Sequence, residues 1–318
     1  MLFDGNGFAD LPVNTAGRDF IVSDLHGQLV RLRIALDLVS FDPDRDRLIA
    51  VGDIVDKGSG SAVLLGMLRR LPWFVSVVGN HELLMRAGSR GGPEAFKRWA
   101  RNDMGWVEHV PPDELDQLVK VVDGMPIALE LPLADGRRIG VVHAEIPPGS
   151  TWDFVRTPQI ADIACGDRDG LTLASSILWG RRRAMAGYRL RDNPFAEELP
   201  AVTRVSTWEA LQPVAGIDLV VAGHTQITEP AEPMVVSNCV MIETAAFQPD
   251  GWLTLVDPLH GCYWQVGSKL SLTCGPLQLP APRDIEPFRP TPEQIAEAAS
   301  RGQLGAETLS RLHARHFP

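Results

Sequence analysis

Through the first half of the chain, apolar runs of strand length alternate with amphipathic stretches of helical length. Residues 19–23 form a short run whose centre, Phe20 to Val22, is wholly apolar, which predicts a buried strand. Leu29, Leu32, Leu36 and Val39 then recur at helical spacing, predicting a helix over about 28–39. Residues 47–51 read as a second strand, 61–71 as a second helix and 73–78 as a third strand. A β-α-β-α-β order implies a parallel sheet with right-handed crossovers.

Beyond it, residues 83–125 read as helices and loops. Pro111 and Pro112 followed by Asp113 and Glu114 mark a helix start. Strands near 126–131 and 137–142 flank Ala134, Asp135 and Gly136, a hairpin signal. A helix falls near 171–178 and a buried strand at 217–222. Segments 239–243, 252–256 and 262–266 read as a β-meander. A Pro-rich stretch covers about 276–293, and two short amphipathic helices, split at Gly302 and Gly305, fill 292–316. No internal repeat is visible. The parallel first half and the later strands predict an α/β fold of two facing sheets with helices outside. The domain division that follows is 1–268 for the main unit and 269–318 for a linker and two C-terminal helices.

Composition narrows the class. Of 318 residues, 45% are hydrophobic and 22% charged, which excludes a disordered chain. No apolar run approaches the roughly 20 residues of a membrane helix. The first residues lack a basic segment followed by an apolar one, so no secretory leader is read. The four cysteines, Cys165, Cys239, Cys262 and Cys274, form no C-x-x-C pair and suit free thiols in a reducing cytoplasm. The net charge of −10 argues against nucleic acid as a partner and repels phosphate in general. A phosphate-handling site in this chain must build its own positive field.

Five of the strands end in loops that carry ligand-type side chains. They supply Asp24 and His26, then Asp53 and Asp56, then Asn80 and His81, then His143, then His224. Taken singly, each loop reads as turn chemistry or as a hydrogen-bonded histidine. Taken together they converge, because open α/β sheets bind ligands beyond the carboxyl ends of their strands. Buried carboxylates and imidazoles are costly unless paired or bound to metal.

The motifs SDLHG (23–27), GDIVDKG (52–58), GNHE (79–82), VVHAE (141–145) and AGHT (222–225) resemble those of the calcineurin-like metallophosphoesterases. Within that superfamily they are similar to the PPP phosphoprotein phosphatases, in particular the compact bacterial and phage-lambda type. The resemblance spans about residues 19–257. It implies a sandwich of two mixed sheets in α/β/β/α layers and a centre with two divalent metals. Asp24, His26 and Asp53 would hold the first. Asp53 would bridge to the second, also held by Asn80, His143 and His224. Oxygen and imidazole donors suit Mn²⁺, named first here, and also Fe or Zn²⁺. His81 would be the general acid and Asp56 its partner. Lys57, Asn80 and Arg181 would meet the phosphate, Lys57 in place of the family's usual Arg.

The activity implied is hydrolysis of phosphate monoesters by an activated hydroxide, on phosphorylated Ser or Thr of a protein or on a small phosphoester. A symmetrical dinucleoside tetraphosphate hydrolase is the alternative on the same scaffold, and the presence of Asp56 favours the phosphatase. A catalytically inactive metal-binding scaffold is a further alternative; it would need a broken ligand set, and none is broken. The Arg-rich segment 182–216, with Arg182, Arg183, Arg189, Arg191 and Arg204, reads equally as a substrate-facing loop or as basic surface. No oligomeric state follows from the sequence.

Overall fold

The computed structural model describes residues 7–156, 173–192 and 209–277. Two six-stranded mixed sheets face each other. In the first, β2 (Asp19–Val22), β3 (Arg47–Ala50) and β4 (Phe74–Ser76) run parallel. β10 (Trp252–Asp257) pairs antiparallel with β2, and β11 (Cys262–Gly267) and β12 (Leu272–Pro276) continue the sheet beyond it. The second sheet runs β1 (Phe8–Asp10), β5 (Ala128–Pro132), β6 (Arg138–Val142), β7 (Leu219–Ala222), β9 (Cys239–Met241) and β8 (Met234–Val236). β6, β7 and β9 are mutually parallel.

The strand pattern explains the layers. Ile21, Ile49 and Val75 lie in register across the first sheet and join one apolar cluster with Leu129, Ile139, Val141 and Val221 of the second. Their neighbours Phe20, Val22, Leu48 and Ala50 point the other way and pack with Leu32, Ala35, Leu64 and Leu65. Those leucines belong to α1 (Leu29–Leu38) and α2 (Ser61–Arg70). Strands covered on both faces read as unbroken apolar runs, which is how β2 and β3 are legible. Each fully buried Ile or Leu contributes about 1.5–3 kcal/mol.

Two expectations are corrected. Residues 239–243 do not open a meander with 252–256. β9 lies in the second sheet, parallel to β7, and the chain crosses to the first sheet before β10. Local patterning is the same for both arrangements, so only the pairing separates them. Residues 269–277 are not all linker either, since β12 pairs with β11 from Leu272 to Pro276. The two helices expected within 292–316 lie outside the described residues.

Gly140 in β6 faces Trp152, and a Cβ there would come within 2.4 Å of the indole ring. Gly140→Ala should lower stability by about 1–3 kcal/mol through overpacking. A thermal melt of the two proteins checks this.

Candidate metal centre

The carboxyl ends of six strands meet at one edge of the sandwich. β2 delivers Asp24 and His26, β3 delivers Asp53, Asp56 and Lys57, and β4 delivers Asn80 and His81. β6 delivers His143, β7 delivers His224, and β9 delivers Glu243. All but Lys57 are buried. Helix α3 (Asn80–Arg90) begins inside the site, and its Glu82 ties the neighbouring loops together. The Glu82 carboxylate accepts from the backbone N–H of Asp53 at 2.9 Å, Ile54 at 2.7 Å, Val55 at 3.1 Å and Gly79 at 2.8 Å. The His81 N–H donates to Asp53 Oδ1 at 3.0 Å.

The turns are tight. His26, Asp53, Asp56, Lys57 and His224 all have positive φ, between 39° and 69°. Such left-handed residues cost energy and gather where geometry serves a site. Gly52, with φ of 97°, has no room for a side chain. A Cβ would lie 2.9 Å from His143 Nδ1.

The donor atoms are arranged for cations. His26 Nδ1–H donates to the Val55 carbonyl at 2.9 Å, and His143 Nδ1–H to the Val51 carbonyl at 2.8 Å. Each ring therefore turns an Nε2 lone pair inward. His143 Nε2 lies 2.8 Å from Asn80 Oδ1 and 3.4 Å from Asp53 Oδ1. His26 Nε2 lies 3.6 Å from Asp53 Oδ2. His224 Nε2 is buried with no hydrogen-bond partner. Lone pairs facing one another, and an orphaned imidazole nitrogen, fit a shared metal ion rather than a hydrogen-bond network. Two groups could each hold an ion: His26, Asp53 and His81, and Asp53, His143 and His224. Asp53 belongs to both. Asp24 stands close by, but in this arrangement its carboxylate accepts the His224 N–H at 3.1 Å and 3.2 Å.

Electrostatics follow the burial. Burial pushes the Asp24 carboxyl well up, reinforced by Glu243 and Asp53. Burial works the same way on Asp53, but the imidazoles of His143, His81, His26 and His224 outweigh it and hold that carboxyl below its usual range. Burial lowers His26 to about 3 and also lowers His143 and His224, which favours the uncharged rings that ligation requires. His81 differs. Burial opposes its charge, yet Asp53 and Asp56 raise it above 6.5.

His81 Nδ1 lies 2.7 Å from Asp56 Oδ2. Lys57 Nζ lies 3.0 Å from His26 Nε2 and 3.6 Å above the Phe247 ring. Arg181 is exposed, and its charge is among the causes that depress His224. Trp179 meets the His224 ring edge-on at 6.0 Å. The neighbouring arginines are not all surface. Arg183 is buried and donates to the carbonyls of Ala210 at 2.6 Å and Gln212 at 2.7 Å. Glu145 accepts its backbone N–H at 2.7 Å and so anchors the helix Arg182–Asp192 directly after Arg181. Arg204 lies outside the described residues.

Glu243 is a residue that the sequence did not single out. It is buried, with Oε2 unpartnered, and burial pushes its carboxyl up to about 8. It reaches the site only because β9 runs parallel to β7. An antiparallel meander would have carried it to the opposite edge.

Two facing mixed sheets whose strand ends pool buried Asp, Asn and His donors define a metal-dependent phosphoesterase. Residues 20–227 match the family model described as calcineurin-like phosphoesterase, and the chain belongs to that family. Serine/threonine-protein phosphatase 2 of Salmonella typhimurium is 25% identical over 243 residues, 76% of this chain and 93% of that protein. The symmetrical bis(5′-nucleosyl)-tetraphosphatase of Pseudomonas fluorescens is 35% identical over 130 residues, which is 41% of this chain and 43% of that protein. A solved protein serine/threonine phosphatase from Saccharomyces cerevisiae superposes over 88% of this chain and 86% of its own, with 17% identity and a TM-score of 0.46. Family members use divalent metals, and among the described residues no helix is long and apolar enough to cross a membrane.

Proposed function

We propose that this chain hydrolyses phosphate monoesters of phosphorylated serine and threonine side chains, using two divalent ions, Mn²⁺ foremost. The observation that carries the reading is Asp53, common to both donor groups, together with the pairing of His81, a member of one of them, to the buried Asp56. Asp24, His26 and Asp53 would hold one ion, and Asp53, Asn80, His143 and His224 the other. Ions bound there supply Lewis acidity and a water of lowered pKa.

The chain's own groups do the rest. Asp56 holds the His81 ring, and Nδ1 carries a proton toward it. Nε2 then faces the site and, in the cationic ring, donates a proton to the departing alkoxide oxygen. Asp53 and Asp56 favour that proton, since both raise the His81 pKa. Asn80, Lys57 and Arg181 offer N–H donors to the phosphoryl oxygens. Lys57 brings one contact at a time where an arginine would bring a fork. Lys57→Ala should weaken inhibition by inorganic phosphate about ten- to a hundredfold, the worth of one charge-assisted hydrogen bond. Phosphate inhibition constants of the two proteins check this.

The relative named serine/threonine-protein phosphatase 2, aligned over most of its length, supports the protein-phosphatase reading. Relatives named symmetrical bis(5′-nucleosyl)-tetraphosphatase favour a second reading on the same centre, although they align over less than half of their length. A Mn²⁺-supplemented panel of phosphoserine, phosphothreonine and phosphotyrosine peptides, an aryl phosphate and diadenosine tetraphosphate separates the two. The phosphoserine and phosphothreonine peptides should give the highest kcat/KM. A clear preference for the dinucleotide would transfer the chain to the second reading.

A further inference from the structure

The Asp56 carboxylate is fully buried, and His81 uses only one of its oxygens. The other, Oδ1, accepts two indole N–H groups, from Trp99 at 3.1 Å and from Trp106 at 3.0 Å. A buried carboxylate oxygen without donors would be costly, and no solvent reaches this one.

The two tryptophans come from one surface segment. Trp99 lies in the short helix Pro93–Ala100 and Trp106 in the 3₁₀ turn Gly105–His109. Most of that segment is exposed; the two indoles are its buried anchors. Their rings meet edge-on, with centroids 6.3 Å apart. The preceding helix leaves room for them at Gly88, where a Cβ would come within 2.7 Å of the Trp99 ring. Between them, the Asp103 carbonyl accepts the Lys57 N–H at 2.8 Å and fixes the residue after Asp56.

We propose that Trp99 and Trp106 are positioning residues that aim the general acid. Their two N–H groups clamp Asp56 Oδ1, so that Oδ2 alone meets His81 and the ring is held in one rotation and one tautomer. The inference rests on the reading of His81 as general acid. Simple packing of two large side chains would not require both indole nitrogens to converge on one oxygen.

Trp→Phe keeps an aromatic ring and removes the N–H. In the Mn²⁺-loaded protein, Trp99→Phe/Trp106→Phe should lower kcat on a phosphothreonine peptide about 10- to 100-fold, within the range of general acid catalysis. Turnover of 4-nitrophenyl phosphate, whose leaving group needs little protonation, should change less than about threefold. Placed on His81→Asn, the double substitution should cost nothing further, because coupled groups are not additive. If the double variant does not fold, each single substitution, which leaves one N–H on Asp56, should show the same substrate split at smaller size. Equal losses on both substrates, or full additivity with His81→Asn, would show that the indoles act only through packing and overturn the proposal. If His81→Asn alone failed to separate the two substrates, the general-acid reading would fall, and the positioning role with it.

Discussion

Asp53→Asn should abolish the centre while leaving the fold in place. The expected loss in kcat/KM on any phosphomonoester is about 10³-fold or more, above the 10²–10³ typical of removing one stabilising donor, because both donor groups share this side chain. Asn keeps an oxygen to accept the His81 backbone N–H that Asp53 accepts at 3.0 Å. It removes one negative charge from a pocket that also contains Asp24, Glu243 and Glu82. The metal-free variant should therefore melt within a few degrees of the metal-free parent, while its bound metal falls below two ions per chain. Elemental analysis after gel filtration, alongside melting curves, checks both. Near-native turnover with two ions retained would refute the bridging role.

The second large effect belongs to His81. His81→Asn should cut turnover of alkyl phosphates about 10²–10⁴-fold and of aryl phosphates far less. The pH dependence carries the same sign. The imidazole must be protonated to donate, and Asp53 and Asp56 raise its pKa above 6.5. Turnover of an alkyl phosphate should then fall as pH rises through that raised value. His81→Asn should remove this alkaline limb. A pH profile of kcat on a phosphothreonine peptide measures it for both proteins. An unchanged limb in the variant would assign the titration to another group.

Much of this site is legible in the sequence because its information is local. An apolar strand, a Gly or Asp turn and a polar side chain at the strand end lie within a few residues of one another. Asp24, His26, Asp53, Asn80, His143 and His224 all follow that rule. What escapes the sequence depends on pairing and burial. Glu243 has the same local setting, yet its place turns on whether β9 pairs with β7 or with β10. Arg183 looks like one member of a solvated arginine run, and only the fold shows it capped by backbone carbonyls. Glu82 lies inside a recognised motif, but its four backbone donors come mostly from a loop nearly thirty residues earlier. Trp99 and Trp106 fall in a stretch that reads from the sequence only as helices and loops. Their chemistry rests on which buried acceptor each N–H finds.

Turnover should depend on ions held at a centre built around Asp53. A titration of the chelator-stripped chain with Mn²⁺, with turnover of a phosphothreonine peptide recorded at each step, checks this. The stripped protein should show no turnover, and activity should rise with added Mn²⁺ and saturate at two ions bound per chain. Undiminished turnover in the presence of excess chelator, with no metal found in the protein, would contradict it.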